Sequence, residues 1–232
     1  MLNHHPLTRW ILGYEAQRKR MLKKAPHGPL RDFLAVPFPA LNTPFEQIPI
    51  LAVDFETTGL DAVADKLLSV GCVDLFHHQI RLGSSYHEII NSKGKLKADN
   101  VTIHQITDDQ KNQGKPLAEV VEQLLNRLAG KVMLVHFSRI ERQFLRQACL
   151  ELYGMAPPLP MIDTLVVAKK RLDKRDVAYD PSELRLSALR ANYGFPDHYA
   201  HNALNDAIAT AELLLAQVNE RGESMTLQQL IL

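Results

Sequence analysis

Two carboxylates, Asp54 and Glu56, stand two residues apart at the end of the apolar run Ile48-Pro49-Ile50-Leu51-Ala52-Val53 and lead into Thr57-Thr58-Gly59. An uncharged run of this kind predicts a strand buried on both faces. Side chains at i and i+2 of a strand point to one side, so both carboxylates converge on one spot. Acids held that close repel unless positive charge lies between them, and hard divalent cations prefer such oxygen ligands. Thr57-Thr58-Gly59 then ends the strand and leaves a polar, approachable backbone at its mouth. From these residues alone a plainer account stands beside the first: a strand end that turns into solvent carrying acidic residues.

The segment Asp54-x-Glu56-Thr57-Thr58-Gly59 resembles the first motif of the DEDDh 3′–5′ exonuclease superfamily, and further segments follow in that superfamily's order. Val101-Thr102-Ile103-His104-Gln105-Ile106-Thr107 is similar to its His-x-Ile-Thr segment. Leu134-Val135-His136-Phe137-Ser138-Arg139-Ile140-Glu141 sits where the second motif belongs. His201-Asn202-Ala203-Leu204-Asn205-Asp206-Ala207 matches the third motif, His-x-Ala-x-x-Asp-Ala. The resemblance covers about residues 48–219 and looks most like the proofreading, epsilon-subunit-like branch of bacterial DNA polymerase III. It implies an α/β fold, a ribonuclease-H-like mixed β-sheet flanked by α-helices. The implied activity is metal-dependent 3′–5′ exonuclease action on single-stranded 3′ ends, DNA before RNA, releasing nucleoside 5′-monophosphates.

Phosphodiester hydrolysis needs an activated water, in-line geometry and neutralised charge, and a pair of divalent ions provides all three. The resemblance implies two such ions, Mg²⁺ or Mn²⁺, held by Asp54, Glu56, Asp206 and Glu141, with His201 as the general base. Imidazole titrates near the pH at which such a base works. By the same resemblance Thr57, Thr58 and the backbone near Gly59 face the terminal nucleotide, and Leu60 wedges against a base. Without it, Asp206 would read as a solvated residue in a helix's first turn, where the dipole favours an acid. It lies off the stripe Leu204, Ala207, Ile208, Ala211, Leu214, Leu215 and Val218. His201 would read as an incidental loop histidine.

Glu141 has two competing readings. The second motif normally runs His-Asn-x-x-x-Asp, whereas this chain has Phe137 for the Asn and Glu141 for the Asp at unchanged spacing. A Glu can reach a metal, but its extra methylene moves the carboxylate. Ser138-x-x-Glu141 is also a capping box, in which Glu141 would serve backbone N–H groups instead. The altered motif motivates an alternative function, a catalytically impaired exonuclease-fold protein that acts as a nucleic-acid-binding or scaffold module. His136 receives no role.

The elements that must position these residues follow from periodicity. Lys66–Phe76 and His78–Ile90 read as two further strands in an antiparallel meander, and Lys131–Val135 as a short buried strand. Pro116–Leu128, Ser138–Leu152, Leu184–Tyr193 and Asn202–Asn219 read as helices, with Asp163 as the N-cap of another. A short terminal helix begins near Ser224 or Thr226. Residues 1–47 form an extension, an amphipathic helix over 8–24 and a proline-punctuated extended arm over 25–47, ahead of an exonuclease domain over 48–232.

The formal net charge of +1 hides an asymmetry, because residues 1–36 carry +5 and the remainder −4. A mildly acidic body suits a site that gathers carboxylates. The basic extension suggests contact with nucleic acid, or with a polymerase or other protein partner. Cys72 and Cys149 lie in apolar surroundings and read as buried free thiols of a reducing compartment. No apolar run reaches membrane-spanning length, and Arg and Glu interrupt the N-terminal region where a signal peptide needs its apolar core, so a cytoplasmic protein is expected. The pairs His4-His5 and His77-His78 lack metal-ligand spacing and read as surface residues.

Overall fold

The computed structural model describes residues 13–92, 106–175, 178–220 and 224–232. Trp10 and Ile11 of the expected first helix, His4-His5, and Val101–Gln105 of the His-x-Ile-Thr segment lie outside the described residues.

The central strand β1, Ile50–Thr57, pairs antiparallel with β2, Leu67–Phe76, and parallel with β5, Val132–Val135. Beyond β2 lies β3, Gln79–Asn91, and beyond it the two-residue β4, Lys115–Pro116. Beyond β5 lies β6, Met161–Asp163. The sheet order is therefore β4-β3-β2-β1-β5-β6, a mixed sheet with helices on both faces. The expected meander of β2 and β3 forms, joined by His77-His78. Both turn residues have positive φ, 51° and 57°, as a two-residue hairpin loop of matching twist demands. Both are exposed.

Alternation along β1 divides the core. Leu51, Val53 and Phe55 face one apolar cluster, whereas Ile50 and Ala52 face the other. The first cluster is covered by α4, Leu117–Leu128, and α5, Arg139–Tyr153. In α4 the expected apolar face is buried through Val120, Val121, Leu124, Leu125 and Leu128, each contributing ~1.5–3 kcal/mol relative to exposure. The second cluster is covered by α8, Ala203–Asn219, with α6, Thr164–Arg175, beside it. Between these two in the chain comes α7, Leu186–Asn192. A polar helix that the periodicity did not show, α3 over Asp108–Gln113, starts at a capping box between Thr107 and Gln110.

The N-terminal arm departs from expectation. Over 25–47 an extended chain was expected, but Pro29–Ala35 is a helix, α2, whose Leu30, Phe33 and Leu34 are buried in the same cluster as Leu51 and Leu124. Pro29 opens that helix at its first turn, where the missing N–H costs nothing. The preceding helix α1, Tyr14–Leu22, lays Tyr14, Met21 and Leu22 on the same cluster. Two of the basic residues of this extension are structural. Arg18 is buried, donates to Glu15 at 2.6 and 2.7 Å and also to the Leu34 carbonyl, while Arg31 donates to the Leu22 and Ala25 carbonyls at 3.2 and 3.1 Å. Cations at helix C-termini satisfy carbonyls that have no partner within the helix.

At the other end the expected short terminal helix forms as α9, Leu227–Leu230, and opens at a capping box between Thr226 and Gln229. Ile231 then bridges to Ile162, and the Leu232 N–H reaches the Met161 carbonyl at 3.1 Å. That contact covers the β6 edge, which would otherwise offer unpaired backbone to another chain. Among the described residues no helix is long and apolar enough to cross a membrane.

Candidate active site

The parity of β1 puts Asp54 and Glu56 on the same side as Ile50 and Ala52, the face that α8 covers. Asp54 is paired across the ladder with Gly71 of β2. A Cβ at Gly71 would run into the backbone of Ala203 and Leu204, so the missing side chain lets the first turn of α8 lie directly on the sheet. Asn202 caps that turn by accepting the Asn205 N–H at 3.2 Å. The result carries Asp206 to the strand acids. Ligand oxygens of Asp54, Glu56 and Asp206 lie within 4.8 Å of one another.

Asp206 is buried rather than solvated. Its Oδ1 meets Nε2 of His198 at 2.7 Å, and its Oδ2 accepts the Asn202 N–H at 3.2 Å. His198 had no signal in the sequence, because it stands eight residues before Asp206 on an irregular stretch with no spacing rule to expose it. His201 lies on the loop entering α8, as expected, exposed and in the left-handed region at φ 62°.

Glu141 sits in the first turn of α5, 3% exposed, with Oε2 buried and lacking a hydrogen-bond partner among the described residues. The capping box, one of the two readings of Glu141, does not form. Ser138 makes no side-chain cap, and its N–H is taken by the carboxylate of Asp163 at 2.7 Å. Asp163, at the end of β6, also accepts the Phe137 N–H at 3.0 Å and the Leu165 N–H at 2.9 Å. It therefore caps α6, as expected, and additionally ties down the turn that opens α5. His136 places Nδ1 2.8 Å from the Thr164 hydroxyl.

These acids perturb each other. Burial, followed by the charges of Glu141, Asp206 and Glu56, holds the Asp54 carboxyl well above its usual range. Burial, with Asp163 and Glu56 nearby, pushes Glu141 up to about 8 despite an opposing backbone hydrogen bond. Carboxyls so arranged are short of positive charge, and an orphaned buried oxygen beside three convergent acids fits a divalent cation.

Thr57 ends β1, Thr58, Gly59 and Leu60 lie on the turn that follows it, and their polar groups are engaged locally. Thr57 donates to the Gly59 carbonyl at 2.7 Å; Thr58 donates to Asp65 at 3.1 Å and accepts the Lys66 N–H at 2.9 Å. Leu60 is 72% exposed. The structure thus gathers Asp54, Glu56 and Asp206, sets Glu141 beside them, and rims them with the 57–60 turn.

The family model described as Exonuclease (RNase_T) matches residues 51–214. The chain belongs to the exonuclease family. Its curated relatives include a PolC-type DNA polymerase III of Thermotoga petrophila, 29% identical over 174 residues that make up 75% of this chain and 12% of the relative. A DNA polymerase III subunit epsilon-like protein of Rhodobacter capsulatus is 27% identical over 178 residues, 75% of this chain and 24% of the relative. This exonuclease chain therefore spans a quarter or less of the length of both relatives. Among solved structures, the nuclease domain of 3′hExo, a DEDDh family member bound to rAMP, superimposes with a TM-score of 0.64 at 17% identity. That match covers 78% of this chain and 97% of the other. A zinc-bound complex of Escherichia coli ExoI with single-stranded DNA gives 0.64 at 16% identity, over 76% of this chain and 42% of the other. Both confirm the mixed-sheet fold expected of a DEDDh exonuclease. The class of enzyme that goes with the family is exonuclease.

Proposed function

We propose that this exonuclease domain hydrolyses single-stranded 3′ ends, DNA in preference to RNA, to nucleoside 5′-monophosphates. The observation that carries the proposal is the convergence of Asp54, Glu56 and Asp206 within 4.8 Å beside the unpartnered Oε2 of Glu141. These four carboxylates would hold two divalent ions, Mg²⁺ or Mn²⁺. Such ions, when bound, supply charge neutralisation at the phosphate and an acidified water. The protein's own part is to keep the acids converged, which the Gly71 contact and the Asp163 hydrogen bonds support. His201, on the loop beside Asp206, takes a proton from the attacking water through a ring nitrogen. The 57–60 turn presents Thr57, Thr58, the Gly59 backbone and Leu60 to the terminal nucleotide. The relatives that are DNA polymerase III proteins suggest a polymerase partner, with Lys19, Arg20, Lys23 and Lys24 exposed at the N-terminal helix to meet it or the strand.

One observation favours the alternative of an impaired, nucleic-acid-binding fold: Glu141 falls outside the 4.8 Å group. An assay on the full chain separates the two. With 5′-labelled DNA and RNA oligonucleotides and Mg²⁺ or Mn²⁺, a descending ladder that chelator abolishes is expected. Strand binding without metal-dependent product, or internal cuts in circular single strands, overturns the reading. In the same assay His201→Ala should retain strand binding and lose roughly 10²–10⁴-fold of hydrolysis.

A further inference from the structure

Phe137 is a large aromatic side chain that is 44% exposed, on the turn between β5 and α5 and four residues ahead of Glu141. Its backbone has φ 69°, a left-handed conformation that a bulky residue adopts only under strain and that Gly or Asn would take more easily. The strain is held in place rather than relaxed. Asp163, 2% exposed, accepts the N–H groups of both Phe137 and Ser138 through its two oxygens, at 3.0 and 2.7 Å. An aromatic ring is thus kept out of the core by a peptide that a buried carboxylate clamps from two sides. A bulky residue strained into this position and left with 44% of its surface in solvent has a use outside the core.

The position names the use. Strands β1 and β5 run parallel, so the turn after β5 opens at the same carboxyl edge of the sheet as the Asp54–Thr57 end of β1. Leu60 and Tyr199 are also exposed, on the turn after β1 and on the loop entering α8. Three loops that border the acids therefore each leave one ring or apolar side chain in water. Bases of a single strand present flat faces that stack on such rings irrespective of sequence.

We propose that Phe137 is a base-stacking residue, the platform for a nucleobase of the single strand whose 3′ end enters the acid cluster, with Asp163 as its positioning residue. The inference rests on the exonuclease reading above. It assigns the changed second motif a gain, a stacking surface, where the motif comparison alone suggests only a loss.

The test measures KM and, by fluorescence anisotropy in chelator, binding of a 5′-labelled single-stranded DNA by the full chain and its variants. Phe137→Ala should raise KM and the dissociation constant about 5- to 150-fold, the equivalent of ~1–3 kcal/mol at 1.4 kcal/mol per factor of ten. Phe137→Leu should lose nearly as much, and Phe137→Trp should stay within about threefold of the parent, since the ring and not its bulk is at issue. On strands made abasic in the last few positions, the parent and Phe137→Ala should converge. Phe137→Gly relieves the left-handed strain, should melt no lower than the parent, and reads the same loss should the alanine variant fold poorly. Equal KM and binding in Phe137→Gly and the parent, or losses that persist on abasic strands, would overturn the proposal. Should the parent cleave nothing, the exonuclease reading fails while the anisotropy comparison still decides whether Phe137 stacks on bases.

Discussion

The two helices that bring acids to β1 do so by opposite means. Helix α8 delivers Asp206 through close backbone contact: Gly71 has no side chain, so the helix start rests on β2, and a short Asp suffices. Its oxygens are already met by His198 and the Asn202 N–H. Helix α5 delivers Glu141 from a turn held by Asp163 rather than by direct contact, and its Oε2 is buried with no hydrogen-bond partner among the described residues. One acid is fixed by the backbone and internally satisfied; the other sits on a longer, freer stem and is left wanting a partner. The comparison teaches that the α8 side is built to hold its position and the α5 side to respond to what binds.

The largest effect expected falls on the acids that both sides serve. Asp54→Ala or Asp206→Ala should cut metal-dependent turnover by orders of magnitude while the fold persists. Each would remove a carboxylate proposed to hold a cation, and loss of mutual repulsion offsets the lost packing. Turnover with and without chelator, alongside circular dichroism, measures this, and unchanged cleavage by Asp54→Ala would remove β1 from the site.

Gly71→Ala tests the α8 side without touching a carboxylate. A methyl group there meets main chain, which cannot rotate away, so α8 must lift from the sheet. Overpacking of this kind costs ~1–3 kcal/mol. Activity should fall by more than that stability loss explains, because Asp206 moves with the helix. A variant that melts lower yet cleaves at the parent's rate would show that the contact serves stability alone.

How much of this was legible from sequence follows from where each signal lives. The strands and the amphipathic helices were readable because periodicity reports burial, and Val120, Val121, Leu124, Leu125 and Leu128 are buried as their spacing required. The helix Pro29–Ala35 was hidden by prolines read as breakers, although Leu30, Phe33 and Leu34 carry helical spacing and Pro29 stands at a permitted first position. The helix Asp108–Gln113 has no apolar stripe to reveal it. Asp54 and Glu56 were legible because i, i+2 spacing on a strand is a local rule. Asp206, off its helix's apolar stripe, was legible only through the resemblance, since its burial depends on Gly71, more than a hundred residues away. His198 and the second duty of Asp163 depend on contacts between distant segments, which no local pattern encodes.

On the α5 side, Glu141→Gln keeps shape and loses charge. With no capping box to preserve, the amide offers no compensating role, so activity should fall by tenfold or more if Glu141 holds an ion. Glu141→Asp keeps the carboxylate at a shorter reach and should retain measurable turnover with a shifted Mg²⁺/Mn²⁺ preference. Both variants at full parental activity would remove Glu141 from the site and leave it as a buried acid without a function.

The smallest effect expected is on stability against pH in the chelated protein, and it too separates the two sides. Glu141 is pushed from its ordinary 4.5 up to about 8, and Asp54 is raised as well, so between those values the native state binds more protons than the unfolded chain. Stability then falls as pH rises, because the unfolded state ionises freely while the native state must ionise acids held against burial and one another's charge. The contribution is complete below about 4.5 and is lost as pH passes through about 8. Melting temperatures of the chelated protein from pH 5 to 9 should decline, with a shallower decline in Glu141→Gln. Adding Mn²⁺ should restore stability most at the alkaline end, since the cation binds the ionised native site and not the unfolded chain. An unchanged slope in Glu141→Gln would place the proton uptake on Asp54 and the α8 side instead, reversing the assignment of the responsive half of the site.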